Sequence, residues 1–108
     1  MIAIYHYRRT DGVYPFERWL ADLRDARAVA RVAQRVRRLE AGLWGDCKPV
    51  GEGVLELRID YGPGYRVYLG RHGATIVVLL SGGDKHGQSA DIERAKEYWN
   101  DCKKRGIV

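Results

Sequence analysis

The chain has few of the residues that small proteins use to form disulfide bonds or metal sites. Its 108 residues include two cysteines, Cys47 and Cys102, which lie far apart with no CxxC pair. No Cys, His, Asp or Glu residues follow a spacing typical of metal ligands. This pattern argues against a disulfide framework or a zinc site. It predicts a reduced, cytoplasmic protein that uses no metal and no cofactor.

Long apolar segments are also missing. The longest wholly apolar run extends from Ile76 to Leu80, whereas a membrane-spanning helix needs roughly 20 such residues. The first ten residues, MIAIYHYRRT, have no basic stretch ahead of an apolar one, so we expect no signal peptide. Repeats and biased segments are absent as well. A single domain over residues 1–108 is therefore predicted, with no membrane partner.

What the chain does have is positive charge. Nineteen Lys and Arg residues against fourteen Asp and Glu residues give a net charge of +5, and fourteen of the nineteen are Arg. Such an excess favours nucleic acid, an anionic membrane or an acidic protein as partner. The planar guanidinium suits phosphate, but a GC-rich genome would produce the same preference for Arg. Composition alone leaves the partner open.

Periodicity predicts the order β-α-α-β-β-β-α. Residues 1–9 alternate as a strand does, Pro15 occupies the first turn of a short helix, and Asp25 caps a second, amphipathic helix. Three strands follow, and the last is apolar at every position, which predicts cover on both faces. Ser89 is the predicted cap of the final helix. The fold class is thus α+β, with a small, mainly antiparallel sheet, an N-terminal helical hairpin and a C-terminal helix.

Charges alternate with apolar residues in two of these strands. Glu56 and Arg58 share one face of the first, and Arg66 and Tyr68 share one face of the next. If the strands pair across the YGPG turn, the four side chains form one patch. One interpretation is a solvated face with weak cross-strand pairs. The other is a functional site.

Two further basic features have similar alternatives. Lys85 and His86, in GGDKHGQS after the apolar strand, could bind phosphate or move protons, or could belong to an exposed turn. A stripe of arginines on the second helix could follow a phosphate backbone or form a solvated face. The stripe comprises Arg24, Arg27, Arg31, Arg35 and Arg38.

Three motifs in order, ELR, GYRVY and GGDK, together with FERWL near the N-terminus, give the chain a resemblance to a known family. It resembles the RelE/ParE superfamily of toxins, in its HigB-related addiction module killer branch. The resemblance implies a RelE-like fold with a small twisted sheet. It also implies a toxin of a type II toxin–antitoxin pair, as a metal-independent, ribosome-dependent mRNA endoribonuclease. The alternatives are a ParE-like poison of DNA gyrase and a nucleic-acid-binding module without toxicity.

The resemblance also implies site residues and partners. Arg58, Arg66 and Lys85 match basic positions of the family. Glu56, His86 and Lys85 are the candidate acid–base groups of the predicted catalytic set, and Glu56 could instead be the partner that holds Arg58 in place. Arg31, Arg35, Arg38 and Tyr68 complete the predicted RNA-binding surface. The expected partners are a cognate antitoxin, usually with a helix-turn-helix, and mRNA on the ribosome.

Overall fold

A computed structural model describes all residues from Met1 to Val108. The elements in chain order are β1 (Ala3–His6), α1 (Pro15–Asp22), α2 (Ala26–Glu40), β2 (Cys47–Gly51), β3 (Val54–Ile59), β4 (Tyr65–His72), β5 (Ile76–Asp84), a 3₁₀ turn (Lys85–Gly87) and α3 (Gln88–Lys104). One five-stranded sheet has the strand order β1-β5-β4-β3-β2. The β1–β5 pair is parallel and the other pairs are antiparallel. The predicted α+β class is confirmed.

The sheet separates two apolar cores. Val77 and Leu79 of β5 pack with residues of α1 and α2 on one face. Val78 and Leu80 pack with residues of α3 on the other. Because successive side chains of a strand point to opposite faces, an all-apolar strand suits a position covered on both sides. The prediction for this strand is confirmed.

The helical hairpin forms as the sequence predicts. Pro15 occupies the start of α1, where its missing N–H is not needed. The Asp25 side chain accepts hydrogen bonds from the N–H groups of Arg27 and Ala28, which caps α2. The buried residues of α2 lie at helical spacing and face the sheet.

Three details of the predicted order are wrong. Strand β2 was not predicted, because it is a short edge strand with Pro49 in it, and proline is tolerated only at such positions. Strand β5 continues to Asp84, so the glycines after its apolar part belong to the sheet. Helix α3 begins at Gln88 after the 3₁₀ turn, and Ser89 does not cap it.

Helix α3 covers much of the sheet face that one interpretation left in solvent. Its buried residues are Ala95, Trp99 and Cys102. The Trp99 ring lies against Gly70, where an added β-carbon would be 2.3 Å from a ring carbon. The cover extends to Glu56, which is fully buried. The solvated-face interpretation is therefore wrong for this part of the sheet. None of the three helices has the length and apolarity needed to cross a membrane.

Candidate functional site

Arg58 and Arg66 lie directly opposite each other on β3 and β4. The preceding pair in the same ladder on that face is Glu56 with Tyr68. The four polar residues therefore form one patch, as the sequence predicted. Toward the β3–β4 turn, a recess of about 240 Å³ opens beside the two arginines. It is lined by Asp46, Arg58, Ile59, Asp60, Gly64, Tyr65 and Arg66.

Arg66 is held at two points. Its Nη1 atom donates a hydrogen bond of 2.9 Å to the carbonyl oxygen of Gly64. Its Nε atom lies 3.5 Å from Oε2 of Glu56, and only 14% of the side chain is exposed. These contacts fix the guanidinium plane at the edge of the recess. Its remaining N–H groups leave capacity for a further acceptor.

Glu56 lies beneath the site and does not line it. Its side chain has no exposed surface, and Oε2 accepts hydrogen bonds from the Tyr68 hydroxyl at 3.1 Å and the Gln88 amide at 2.9 Å. The acid–base role predicted for Glu56 is wrong for this arrangement, because a substrate at the surface does not reach the carboxylate. The alternative that Glu56 holds Arg58 is also wrong, since its partner is Arg66.

Tyr68 is likewise fully buried. Burial, followed by the charge of the Glu56 carboxylate, raises the pKa of Tyr68 above its ordinary value. The hydroxyl therefore stays protonated and donates to Glu56. Its predicted contact with RNA is wrong, because α3 and the flanking strands cover the ring.

Arg58 differs from Arg66 in its exposure. It pairs with Asp46 at 3.3 Å, and the two side chains are 41% and 55% exposed. Exposed pairs of this kind are weak, so an incoming phosphate can compete with Asp46. Asp60 adds a second carboxylate to the recess.

Lys85 extends the basic character of the site from the 3₁₀ turn. Gly64 lies between Lys85 and Arg66: an added β-carbon there would be 3.9 Å from the Lys85 side chain and 3.5 Å from Nη1 of Arg66. Gly64 has φ +83°, a conformation that favours glycine. The aliphatic stem of Lys85 therefore lies beside Gly64, next to Arg66 but outside the lining of the recess. His86 is on the same turn, where its ring is 75% exposed and 3.4 Å from Asp84.

The arginines of α2 lie on the other helical layer, which packs against the opposite face of the sheet. Arg35 donates hydrogen bonds to the backbone carbonyl oxygens of Trp44, Asp46 and Arg58. These contacts give its guanidinium a structural role, and its role in binding RNA stays a prediction. Arg31 and Arg38 are exposed, and the guanidinium carbon of Arg31 lies 4.5 Å from the centre of the Tyr61 ring.

A larger cleft of about 710 Å³ lies between α1 and α3, where β5 extends beyond β1. Three arginines and three aspartates line it, so their formal charges cancel. Two of the arginines, Arg9 and Arg94, already pair with aspartates. The recess at Arg58 and Arg66 has less volume, but its cations converge from adjacent strands. It is therefore the stronger candidate for binding an anion.

Sequence reasoning missed three residues of the site. Asp46 and Asp60 reach the recess from the segment before β2 and from the end of β3. Gln88 approaches Glu56 from the start of α3. The one available signal was that Gln88 directly follows the GGDKHG segment. No group of three or more His, Cys, Asp or Glu side chains is arranged to hold a metal ion.

Comparison with known proteins bears on the family of the chain. No family model matches the chain. A protein of Haemophilus influenzae, described only as an uncharacterized protein, is 49% identical over 81 residues. The match covers 75% of this chain and 82% of that protein. Identity at this level over most of both chains shows that the chain belongs to the same family as this Haemophilus influenzae protein.

Proposed function

We propose that the protein is the toxin of a type II toxin–antitoxin pair and that it cleaves mRNA on the ribosome without a metal ion. The observation that carries the proposal is that Arg58 and Arg66 line one recess from adjacent strands, with the stem of Lys85 close by at Gly64. The resemblance of the ELR, GYRVY and GGDK motifs to RelE/ParE toxins supports it, since these motifs supply the three cations. A cytoplasmic location follows from the same proposal.

Cleavage of RNA without a metal ion proceeds by attack of a 2′-oxygen on the adjacent phosphorus. The bond from phosphorus to the 5′-oxygen breaks, leaving a 2′,3′-cyclic phosphate and a 5′-hydroxyl. Negative charge grows on the phosphate oxygens during this step. Arg66 and Arg58 are placed to stabilise that charge, because fixed cations act where charge develops.

The step also needs a proton acceptor and a proton donor. Arginine is a poor base, since it is always protonated in proteins. The carboxylates that line the recess, Asp46 and Asp60, are the candidates for the acceptor. Lys85 is the candidate for the donor to the leaving 5′-oxygen. The ribosome supplies further orientation of the 2′-hydroxyl in this proposal, and orientation alone contributes strongly to such reactions.

The partner proposed for the outer face of α2 is an acidic segment of a cognate antitoxin. Arg27, Arg31 and Arg37 surround a shallow hollow of about 450 Å³. No guanidinium nitrogen of an α2 arginine lies within 4 Å of a carboxylate oxygen. Positive charge early in a helix opposes the helix dipole, and Arg27 lies in the first turn. An acidic partner would relieve this arrangement.

Induction in a bacterial host tests the proposed activity. Arg58→Ala and Lys85→Ala should relieve growth arrest, because losing one charge-stabilising group costs on the order of a hundredfold in rate. Arg71→Ala is the matched control: it removes an exposed arginine of β4 that donates to a loop carbonyl away from the recess. It should remain as toxic as the wild type.

Primer extension on mRNA after brief induction identifies the reaction. Truncated transcripts with 5′-hydroxyl ends, lost in Arg58→Ala and Lys85→Ala, would support the ribonuclease. Intact transcripts with DNA breaks and an SOS response would instead indicate the gyrase poison. Full toxicity of both recess variants at equal protein levels would contradict the proposed site.

A further inference from the structure

We propose that Glu56 and Gln88 are positioning residues, which hold the Arg66 guanidinium and the segment that carries Lys85 in register with each other. This inference rests on the proposed function, because it concerns the same recess. Neither residue needs to touch the substrate. Glu56 acts through Arg66, and Gln88 acts through Glu56.

Three donors converge on a single oxygen of Glu56. Oε2 faces Nε of Arg66 at 3.5 Å, the Tyr68 hydroxyl at 3.1 Å and Nε2 of Gln88 at 2.9 Å. Arg66 and Tyr68 belong to β4, and Gln88 is the first residue of α3. The carboxylate therefore joins two elements that meet at the site. Its full burial leaves it no direct role at the surface.

The contact with Arg66 determines where the guanidinium points. The carbonyl of Gly64 holds Nη1 and the carboxylate faces Nε, so two of the three nitrogens are directed toward the protein. Nη2 makes no hydrogen bond within the protein, and its N–H groups are left for the oxygens of an anion. Without the carboxylate, only the Gly64 contact would remain. The guanidinium would then have to be ordered when the anion binds, which costs affinity.

The Glu56–Arg66 ion pair is also longer than a hydrogen bond. Nε of Arg66 and Oε1 of Glu56 are both buried and lack a hydrogen-bond partner. Charge-assisted hydrogen bonds are usually about 2.7–2.9 Å long, so the 3.5 Å separation can shorten. An anion at the outer edge of the guanidinium would anchor Arg66 in the orientation that favours this closure.

Gln88 extends the same arrangement to Lys85. The 3₁₀ turn that carries Lys85 ends directly before Gln88. The amide of Gln88 is hydrogen-bonded to the carboxylate that also faces Arg66. Glu56 thereby sets both cations relative to one point in the sheet. Loss of the Gln88 contact should loosen the turn while the ion pair of Arg66 remains.

The test uses Glu56→Gln and Gln88→Ala in the full chain, with Asp46→Asn as the matched control. Asp46 pairs with the other recess arginine, but in solvent. The readout is the Arg66 Nε–H signal in a ¹H–¹⁵N NMR spectrum, assigned by its absence in Arg66→Lys. Loss of the buried ion pair with Glu56 should speed its exchange with water on the order of tenfold or more in Glu56→Gln. Asp46→Asn should leave it unchanged.

Titration with inorganic phosphate gives the second readout. The wild-type Arg66 signal should shift saturably, Glu56→Gln should weaken the apparent affinity by roughly tenfold, and Gln88→Ala should weaken it less. If Glu56→Gln stays folded and matches the wild type in both exchange and phosphate affinity, the positioning role is overturned. It is also overturned if Asp46→Asn changes the Arg66 signal as much as Glu56→Gln does.

The failure of this inference is distinguishable from failure of the proposed function. The exchange of the Arg66 signal involves no RNA, so it reports on positioning even if the protein cleaves nothing. Primer extension with Lys85→Ala reports on the reaction even if Glu56 has no positioning role. Should Glu56→Gln unfold, Gln88→Ala leaves the carboxylate intact and supplies the phosphate titration, and a phosphate affinity equal to that of the wild type in that folded variant would overturn the proposal.

Discussion

Arg66→Ala should unfold the protein more readily than Arg58→Ala, although both remove an arginine from the same recess. The reason is the environment of the acidic partner. The Glu56 side chain has no exposed surface and Arg66 has 14%. The Asp46 and Arg58 side chains are 55% and 41% exposed. Removal of Arg66 leaves a carboxylate buried without its cation, whereas removal of Arg58 leaves Asp46 in water.

The magnitude follows from this contrast. Breaking a buried ion pair by removing one partner costs about 3–5 kcal/mol. We expect the low end, about 3 kcal/mol, because Tyr68 and Gln88 still donate to Glu56 and the ion pair is 3.5 Å long. Breaking an exposed pair costs about 0–1 kcal/mol. Since small domains have roughly 5–15 kcal/mol of stability, only the first loss threatens folding.

Urea unfolding followed by tryptophan fluorescence measures both variants. Glu56→Gln/Arg66→Ala provides the control: without the buried charge it should recover much of the stability lost in Arg66→Ala. Equal unfolding free energies for Arg66→Ala and Arg58→Ala would refute the reasoning. The same result would show that Arg66→Ala is a clean probe of activity, whereas we expect Arg66→Lys to be the safer substitution.

Three further predictions concern the rest of the fold. Burial, followed by the hydrogen bond to the Asp101 carboxylate, raises the pKa of Tyr7 from 10.0 to about 12. The protonated hydroxyl therefore contributes its full stabilisation below pH 10. The difference in unfolding free energy between the wild type and Tyr7→Phe, measured with urea, should disappear as the pH rises through 12. Gly70→Ala should destabilise by about 1–3 kcal/mol or more, measured by thermal unfolding, because the new methyl group would overlap the buried Trp99 ring; an unchanged melting temperature would contradict that packing. Arg35→Ala should cost about 2 kcal/mol in urea unfolding, because its guanidinium binds three backbone carbonyl groups.

Local patterns predicted the helices and most of the sheet. Asp25 acts as a cap and Pro15 starts α1 because both effects depend on neighbouring backbone groups. Strand β2 was not predicted, since an exposed edge strand with Pro49 has no alternating apolar pattern. Ser89 was the wrong cap because the chain enters α3 through a 3₁₀ turn, which depends on how β5 leaves the sheet.

The sequence predicted which residues lie together at the candidate site, but not which of them are buried. Spacing placed Glu56, Arg58, Arg66 and Tyr68 on one face, and the register confirms that patch. Alternation could not show that α3 covers Glu56 and Tyr68 while the two arginines stay near the surface. How far a helix covers a sheet depends on tertiary packing, which a local pattern does not contain. The same limit applies to Arg35, whose carbonyl partners lie on other segments.

The parallel pairing of β1 with β5 has a consequence for synthesis. β1 is made first, yet its only neighbour in the sheet is the last strand of the chain. The sheet therefore cannot close until β5 has left the ribosome, and pairing between distant segments of this kind is slow. Gln88 emerges later still, so its hydrogen bond to Glu56 can form only after β5 has been made. Arg58 and Arg66 precede β5 in the chain, so both are synthesised before the sheet can close around the recess.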